Sequence, residues 1–136
     1  MDFKLECTEN RSDLRITFRE RRSSVTFDNP SRKECLCVTV DGCQITNGVR
    51  CDKLLICEDN EYFIELKGSD VKHAIEQLKA SINQLGDSHV LSRQAYIIAT
   101  SCSPKLQTSI QKSKLEFKKY LHSSLIVERA GCTVKI

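Results

Sequence analysis

The sequence predicts an α/β fold: a mixed β-sheet built around an antiparallel meander, flanked by helices, with extra strands at the N-terminus. Three observations carry this expectation. Between Glu34 and Lys67, β-rich runs are punctuated by Asp41-Gly42, Asn47-Gly48 and Asp59-Asn60, the first two being strong short hairpin signals. Beyond them Val71, Ala74, Ile75, Leu78, Ile82 and Leu85 recur at helical spacing. The run QAYIIAT at 94–100 then reads as a buried strand, followed by a second amphipathic pattern.

Each element has a local reason. The meander strands are expected at 35–40, 43–46, 49–57 and 61–67, separated by the three turns. Ser69 or Asp70 caps the first helix and Gly86 stops it. The second helix follows Pro104 and carries Leu106, Ile110, Phe117 and Leu121 on its apolar side, and LIVE and TVKI supply closing strands. Near the N-terminus Leu14, Ile16 and Phe18 alternate with Arg15, Thr17 and Arg19, and SSVTF is a fitting partner strand before Asn29-Pro30.

At 136 residues, 40% hydrophobic and 29% charged, the chain has the balance of one soluble domain with one core. Residues 34–136 form that core, and 1–33 are an N-terminal extension and a candidate dimer interface. No apolar run approaches the roughly 20 residues that span a bilayer, and MDFKLECTEN lacks the pattern of a signal peptide. The expected compartment is the cytoplasm, with no membrane association.

The eight cysteines are even in number, as in a disulfide framework, yet most lie in apolar runs such as CLCVTV and KLLIC. There a free cysteine acts as a small buried hydrophobe, which is the favoured reading. A zinc site prefers Cys-X2-Cys spacing, whereas the only close pair, Cys35 and Cys37, is two residues apart, which sets both thiols on one face of a strand. Net charge is a mild +3, but Arg15, Arg19, Arg21 and Arg22 cluster early, with Arg32 and Lys33 following, and Lys112, Lys114, Lys118 and Lys119 load the last helix. These are solvated faces or contacts for a polyanion.

The chemistry gathers on one hairpin. With Asp59 and Asn60 as its two turn residues, Leu54 lies opposite Glu65 and Asp52 opposite Lys67, so Asp52, Glu65 and Lys67 converge on one side. Leu55, Cys57, Tyr62, Ile64 and Leu66 then form the core side. Neighbouring carboxylates repel unless a cation lies between them, and hard oxygens suit Mg²⁺ or Mn²⁺, with the Leu66 carbonyl as a natural further ligand. The competing reading is a solvated sheet face on which Asp52 pairs with Lys67.

Asp52, a hairpin, Glu65-Leu66-Lys67 and a helix carrying Gln77 together resemble the signature of the PD-(D/E)XK, or restriction-endonuclease-like, nuclease superfamily. The resemblance covers about residues 34 to 100. It implies that Asp52 and Glu65 hold the metal, that Lys67 assists the attacking water, and that Gln77 is the helix glutamine some members add. For the further glutamate of some members, Glu34 and Glu20 are the candidates, and His73 is a possible accessory group one turn before Gln77. Cys51 stands where the family has proline, and Ser81 where the RecB-like branch has tyrosine. Glu-X-Lys alone is weak, since Glu116-Phe117-Lys118 repeats it on a helix.

The resulting expectation is a Mg²⁺- or Mn²⁺-dependent DNA endonuclease of restriction, resolvase or repair type, with RNA as another substrate class. Arg19, Arg21, Arg22, Lys33 and Lys72 are the expected nucleic-acid contacts. A nuclease this small reaches both strands most simply as a homodimer. The alternative is a non-catalytic nuclease-fold subunit that binds DNA or a partner protein in a larger defence or repair complex.

Overall fold

A computed structural model describes residues 2–67, 70–100, 107–129 and 131–136, with the backbone alone at Lys67. A short 3-10 turn, Leu5–Cys7, leads into β1 (Thr8–Arg11), β2 (Arg15–Glu20), β3 (Ser23–Asp28), β4 (Cys35–Thr39), β5 (Lys53–Cys57) and β6 (Asn60–Lys67). Then come α1 (Val71–Leu85), β7 (Ser92–Ala99), α2 (Gln107–Tyr120), β8 (Ser124–Arg129) and β9 (Cys132–Lys135). The fold is mixed α/β, as the sequence predicts. Among the described residues no helix is long and apolar enough to cross a membrane.

Six strands form one sheet in the order β1-β4-β5-β6-β7-β8, antiparallel as far as β6 and parallel from β6 to β8. The other three form a smaller sheet, β2-β3-β9, in which β9 joins β3 in parallel. The first thirty residues are therefore woven into both sheets.

Strand alternation sorts the core into two layers. Val38, Leu54, Phe63, Ala95, Ile97 and Leu125 face Ala74, Leu78, Ile82, Ile110 and Phe117 of the two helices. Cys37, Leu55, Tyr62, Ile64, Leu66, Tyr96 and Ile98 face Ile16, Phe18, Val25 and Phe27 of the small sheet. The large sheet is thus covered on both sides. That excludes a freely solvated face for β6, whose Glu61 and Glu65 are buried on the helix side.

The anticipated helix forms from Val71 to Leu85, with the Asp70 carboxylate accepting from His73 N and Gly86 N closing on Ile82 O. Ser69 and Leu106 lie outside the described residues. Two parts of the meander differ from expectation. No strand forms at 43–46 and β5 begins only at Lys53, so residues 40–52 are a loop with one isolated bridge, Asp41 to Ile45. Gly42 and Gly48 do adopt left-handed φ values of 75° and 85°. The turns are real, but they fold a loop pinned by the Cys7–Cys43 disulfide and by Arg50, which donates to Asp41 Oδ1 at 2.7 Å and to Gly48 O at 2.7 Å.

The second difference is the hairpin register. Cys57 pairs with Asn60 and Leu54 with Phe63, so Glu58 and Asp59 are the turn residues, with Glu58 at φ 55°. The pairing is slipped by two residues from the expected one. An even slip preserves the face on which each side chain lies.

The cysteines also differ from a set of free core residues. Cys35 and Cys57, opposed on β4 and β5, form a second disulfide, while Cys37 and Cys51 are free and buried and Cys132 is free and half-buried. The Cys35 thiol is thereby withdrawn from any zinc pair with Cys37.

Candidate active site

The candidate residues meet where β6 and β7 end side by side. A cavity of about 490 Å³ lies there, lined by Asp52, Glu65, Leu66, Gln77 and Thr100, by Asp41 from the 40–52 loop, and by the β2–β3 turn, Glu20 to Ser23. Carboxyl ends of parallel strands are a common ligand crevice, because the chain leaves the sheet there and opens a gap.

Asp52 is held from all sides. Its carbonyl accepts from Val40 N at 3.0 Å and Asp41 N at 3.3 Å, and its amide donates to Ile64 O at 3.1 Å. The Leu66 amide donates to Asp52 Oδ2 at 2.7 Å. The preceding residue is tied to α1, with Cys51 N donating to Ser81 Oγ at 2.7 Å. Continuing the observed register by one pair sets Asp52 across from Glu65, and not from Lys67 as the expected turn would have it.

Asp52 is 8% exposed and Glu65 2%. Burial pushes the Asp52 carboxyl up to about 6; the Leu66 N–H pulls the other way, and the nearby Glu20 and Asp41 carboxylates add to the rise. Burial also pushes the neighbouring Cys51 thiol up to about 12, which keeps it neutral.

Gln77 reaches the cavity from α1. Its amide nitrogen donates to Arg50 O at 3.0 Å, while the buried Oε1 has no hydrogen-bond partner among the described residues. Lys67 extends β6 by backbone pairing with Ala99. Its side chain lies outside the described residues.

Of the two glutamates weighed as an additional acid, Glu20 lines the cavity, whereas Glu34 is exposed and does not. The reason is topological: Glu20 ends β2 at the turn that leans over the sheet, and Glu34 precedes β4 elsewhere. His73 is likewise exposed and off the cavity. Arg21 and Arg22 line it; Arg19 is exposed on β2, Lys72 is exposed on α1, and Lys33 pairs with Glu58 at 3.1 Å. The sequence alone assigns no role to Asp41 or Arg50 in the site, and none to Ser81 as the acceptor of the Cys51 amide; each acts through a contact distant in the chain. Only Asp41 carried a signal, as a turn residue.

Hard oxygen donors line the cavity, the kind that suit a divalent cation: the Asp52 and Glu65 carboxylates, further acids at Glu20 and Asp41, and the Gln77 side-chain amide. Among the described residues, however, no three His, Cys, Asp or Glu side chains are drawn together closely enough to hold a metal ion. No protein-family model, curated protein or solved structure matches the chain.

Proposed function

We propose that the protein is a metal-dependent phosphodiester hydrolase acting on DNA, with a restriction-endonuclease-like core. One observation carries the reading: two buried carboxylates, Asp52 and Glu65, share a cavity at the carboxyl ends of parallel strands. Neighbouring carboxylates in a cleft repel each other, and titratable groups so placed are candidates for a functional site.

In this reading Asp52, Glu65 and the Leu66 carbonyl would hold Mg²⁺ or Mn²⁺. The chemistry that such an ion supplies when bound is activation of a water and polarisation of a phosphoryl oxygen. The hydrogen bonds around Asp52 keep its carboxylate oriented, so that little reorganisation accompanies ligand binding. Lys67 would assist the attacking water, and Gln77, which lines the cavity, would accept a hydrogen bond from it. Arg21 and Arg22 at the rim neutralise phosphates, contacts that are sensitive to salt and blind to sequence. A homodimer completes the proposal.

Incubation of plasmid, forked and single-stranded DNA with Mg²⁺ or Mn²⁺ tests it. Cleavage is expected from the wild type and is lost in Glu65→Gln and Asp52→Asn. Cleavage by Glu65→Gln at the wild-type rate overturns the assignment.

The looseness of the acidic set favours a second reading, a non-catalytic subunit that binds DNA or a partner in a defence or repair complex. Mn²⁺ separates the two. A rise in melting temperature that disappears in Glu65→Ala supports the enzyme, and an unchanged curve supports the subunit.

A further inference from the structure

A second cavity, of about 480 Å³, lies at the other end of the sheet, where β7 and β8 begin and α2 finishes. With β7 rising about 3.3 Å per residue, roughly 23 Å separates it from the candidate active site. Lys114, Lys118 and His122 line it from α2 and the turn after it, with Arg93 of β7 and Ser124 of β8. Among the described residues no carboxylate side chain lines it.

Two features of the lining carry a cost. Lys114 and Lys118 are like charges one helical turn apart, which destabilises a helix, and neither forms an ion pair among the described residues. Cations in a last turn offset the helix dipole, which accounts for Lys118 and leaves Lys114, a turn earlier, without that role. His122 occupies left-handed backbone, φ 49°, just past the helix end, where Ser123 N closes on Phe117 O at 3.2 Å. Glycine is the cheapest residue at that position, and here the position sets an imidazole at the cavity instead.

Arg93 frames the cavity without supplying free charge. It donates to Glu61 Oε1 at 2.9 Å, Leu121 O at 2.6 Å and Asp87 O at 2.8 Å. The charge available to a ligand is that of the two lysines, with His122 beside them. The Ser92 and Ser123 hydroxyls already donate, to Asn60 Oδ1 and to Ser124 O, so Ser124 provides the hydroxyl donor.

We propose that this cavity binds a phosphomonoester, on a ligand of about mononucleotide size. A phosphomonoester carries nearly two negative charges and three acceptor oxygens at neutral pH, which answers both lysines, whereas a carboxylate answers one. The volume lies within the range of about 300–1,000 Å³ typical of small-ligand sites. The phosphate comes from a free nucleotide or from the phosphorylated end of a strand.

The test is isothermal titration of the full chain, at low salt and without divalent metal, so that its outcome does not depend on the hydrolase reading. The probes are inorganic phosphate, a nucleoside 5′-monophosphate, the bare nucleoside, and one oligonucleotide with and without a 5′-phosphate. Saturable binding of the monophosphate, and none of the nucleoside, is expected. Lys114→Gln/Lys118→Gln should weaken it about tenfold or more, while Lys112→Gln, an exposed lysine off the cavity, should bind as the wild type does. His122→Gly should melt higher and bind more weakly. Preference for the phosphorylated oligonucleotide over the monophosphate identifies the source as a strand end, and the reverse identifies a free nucleotide. Absence of saturation by every phosphate probe, or equal losses in Lys112→Gln and the double variant, overturns the proposal.

Discussion

Cys51 donates its backbone N–H to the Ser81 hydroxyl at 2.7 Å, and both residues are buried. This bond ties the residue before Asp52 to the middle of α1. Ser81→Ala leaves the buried amide without that partner, which costs about 1–3 kcal/mol. Urea denaturation should show that loss. Because the bond positions Asp52 and touches no substrate, the variant should lower kcat more than it changes KM in a DNA-cleavage assay.

The Asp52 carboxyl gives the metal-free protein a pH dependence of definite sign. In the folded protein it titrates at about 6, chiefly through burial, against about 3.9 for an unfolded aspartate. The folded state therefore holds the proton more tightly. Its penalty is absent below the unfolded value, grows as pH rises between the two, and is complete above about 6. Melting temperature measured in a chelator should show a component that falls across that window. Asp52→Asn keeps an acceptor for the Leu66 amide and should remove that component.

Much of this was legible locally. α1 could be bounded because apolar periodicity, an Asp70 cap and Gly86 all act within a turn or two. The face shared by Asp52 and Glu65 could also be read, since a two-residue slip leaves every side chain on its own side. The slip itself arose because Asp59-Asn60 is the better turn pair by local preference, while Glu58 is held at φ 55° by the sheet around it. The 40–52 loop and the arrival of Glu20 were illegible for another reason. Both depend on contacts far apart in sequence: Cys7 with Cys43, and the parallel pairing of β3 with β9 that builds the sheet carrying the Glu20 turn.

Glu61 and Arg93 form the best-buried ion pair among the described residues, Nε to Oε1 at 2.9 Å, and the Asp87 amide donates to Glu61 Oε2 at 3.0 Å. The knot joins β6, β7, the end of α1 and, through Leu121 O, the end of α2. Removing one partner strands the other's charge, so Arg93→Met should cost about 3–5 kcal/mol. Gly86→Ala tests the same knot sterically. A Cβ there meets Ile82 O at 2.6 Å and Arg93 Nη2 at 2.9 Å. Chemical denaturation should place it clearly below wild type, by about 1–3 kcal/mol.

The Cys7–Cys43 disulfide spans 36 residues and anchors the loop that leads into Asp52. In the chain-entropy account a crosslink of that length contributes about 3–4 kcal/mol by restricting the unfolded chain. The loop keeps other ties, Lys4 N to Gln44 Oε1 at 2.9 Å and Arg50 to Asp41, so Cys7→Ser/Cys43→Ser should fold yet melt lower. Its effect on activity should exceed that of Cys35→Ala/Cys57→Ala at equal fraction folded, because the 35–57 crosslink joins two strands already paired in the sheet. Thiol titration of the denatured wild type before and after reduction checks the premise, with four more thiols expected after reduction from the two disulfides. No rise on reduction removes the loop anchor, and with it any reason for the two double variants to differ.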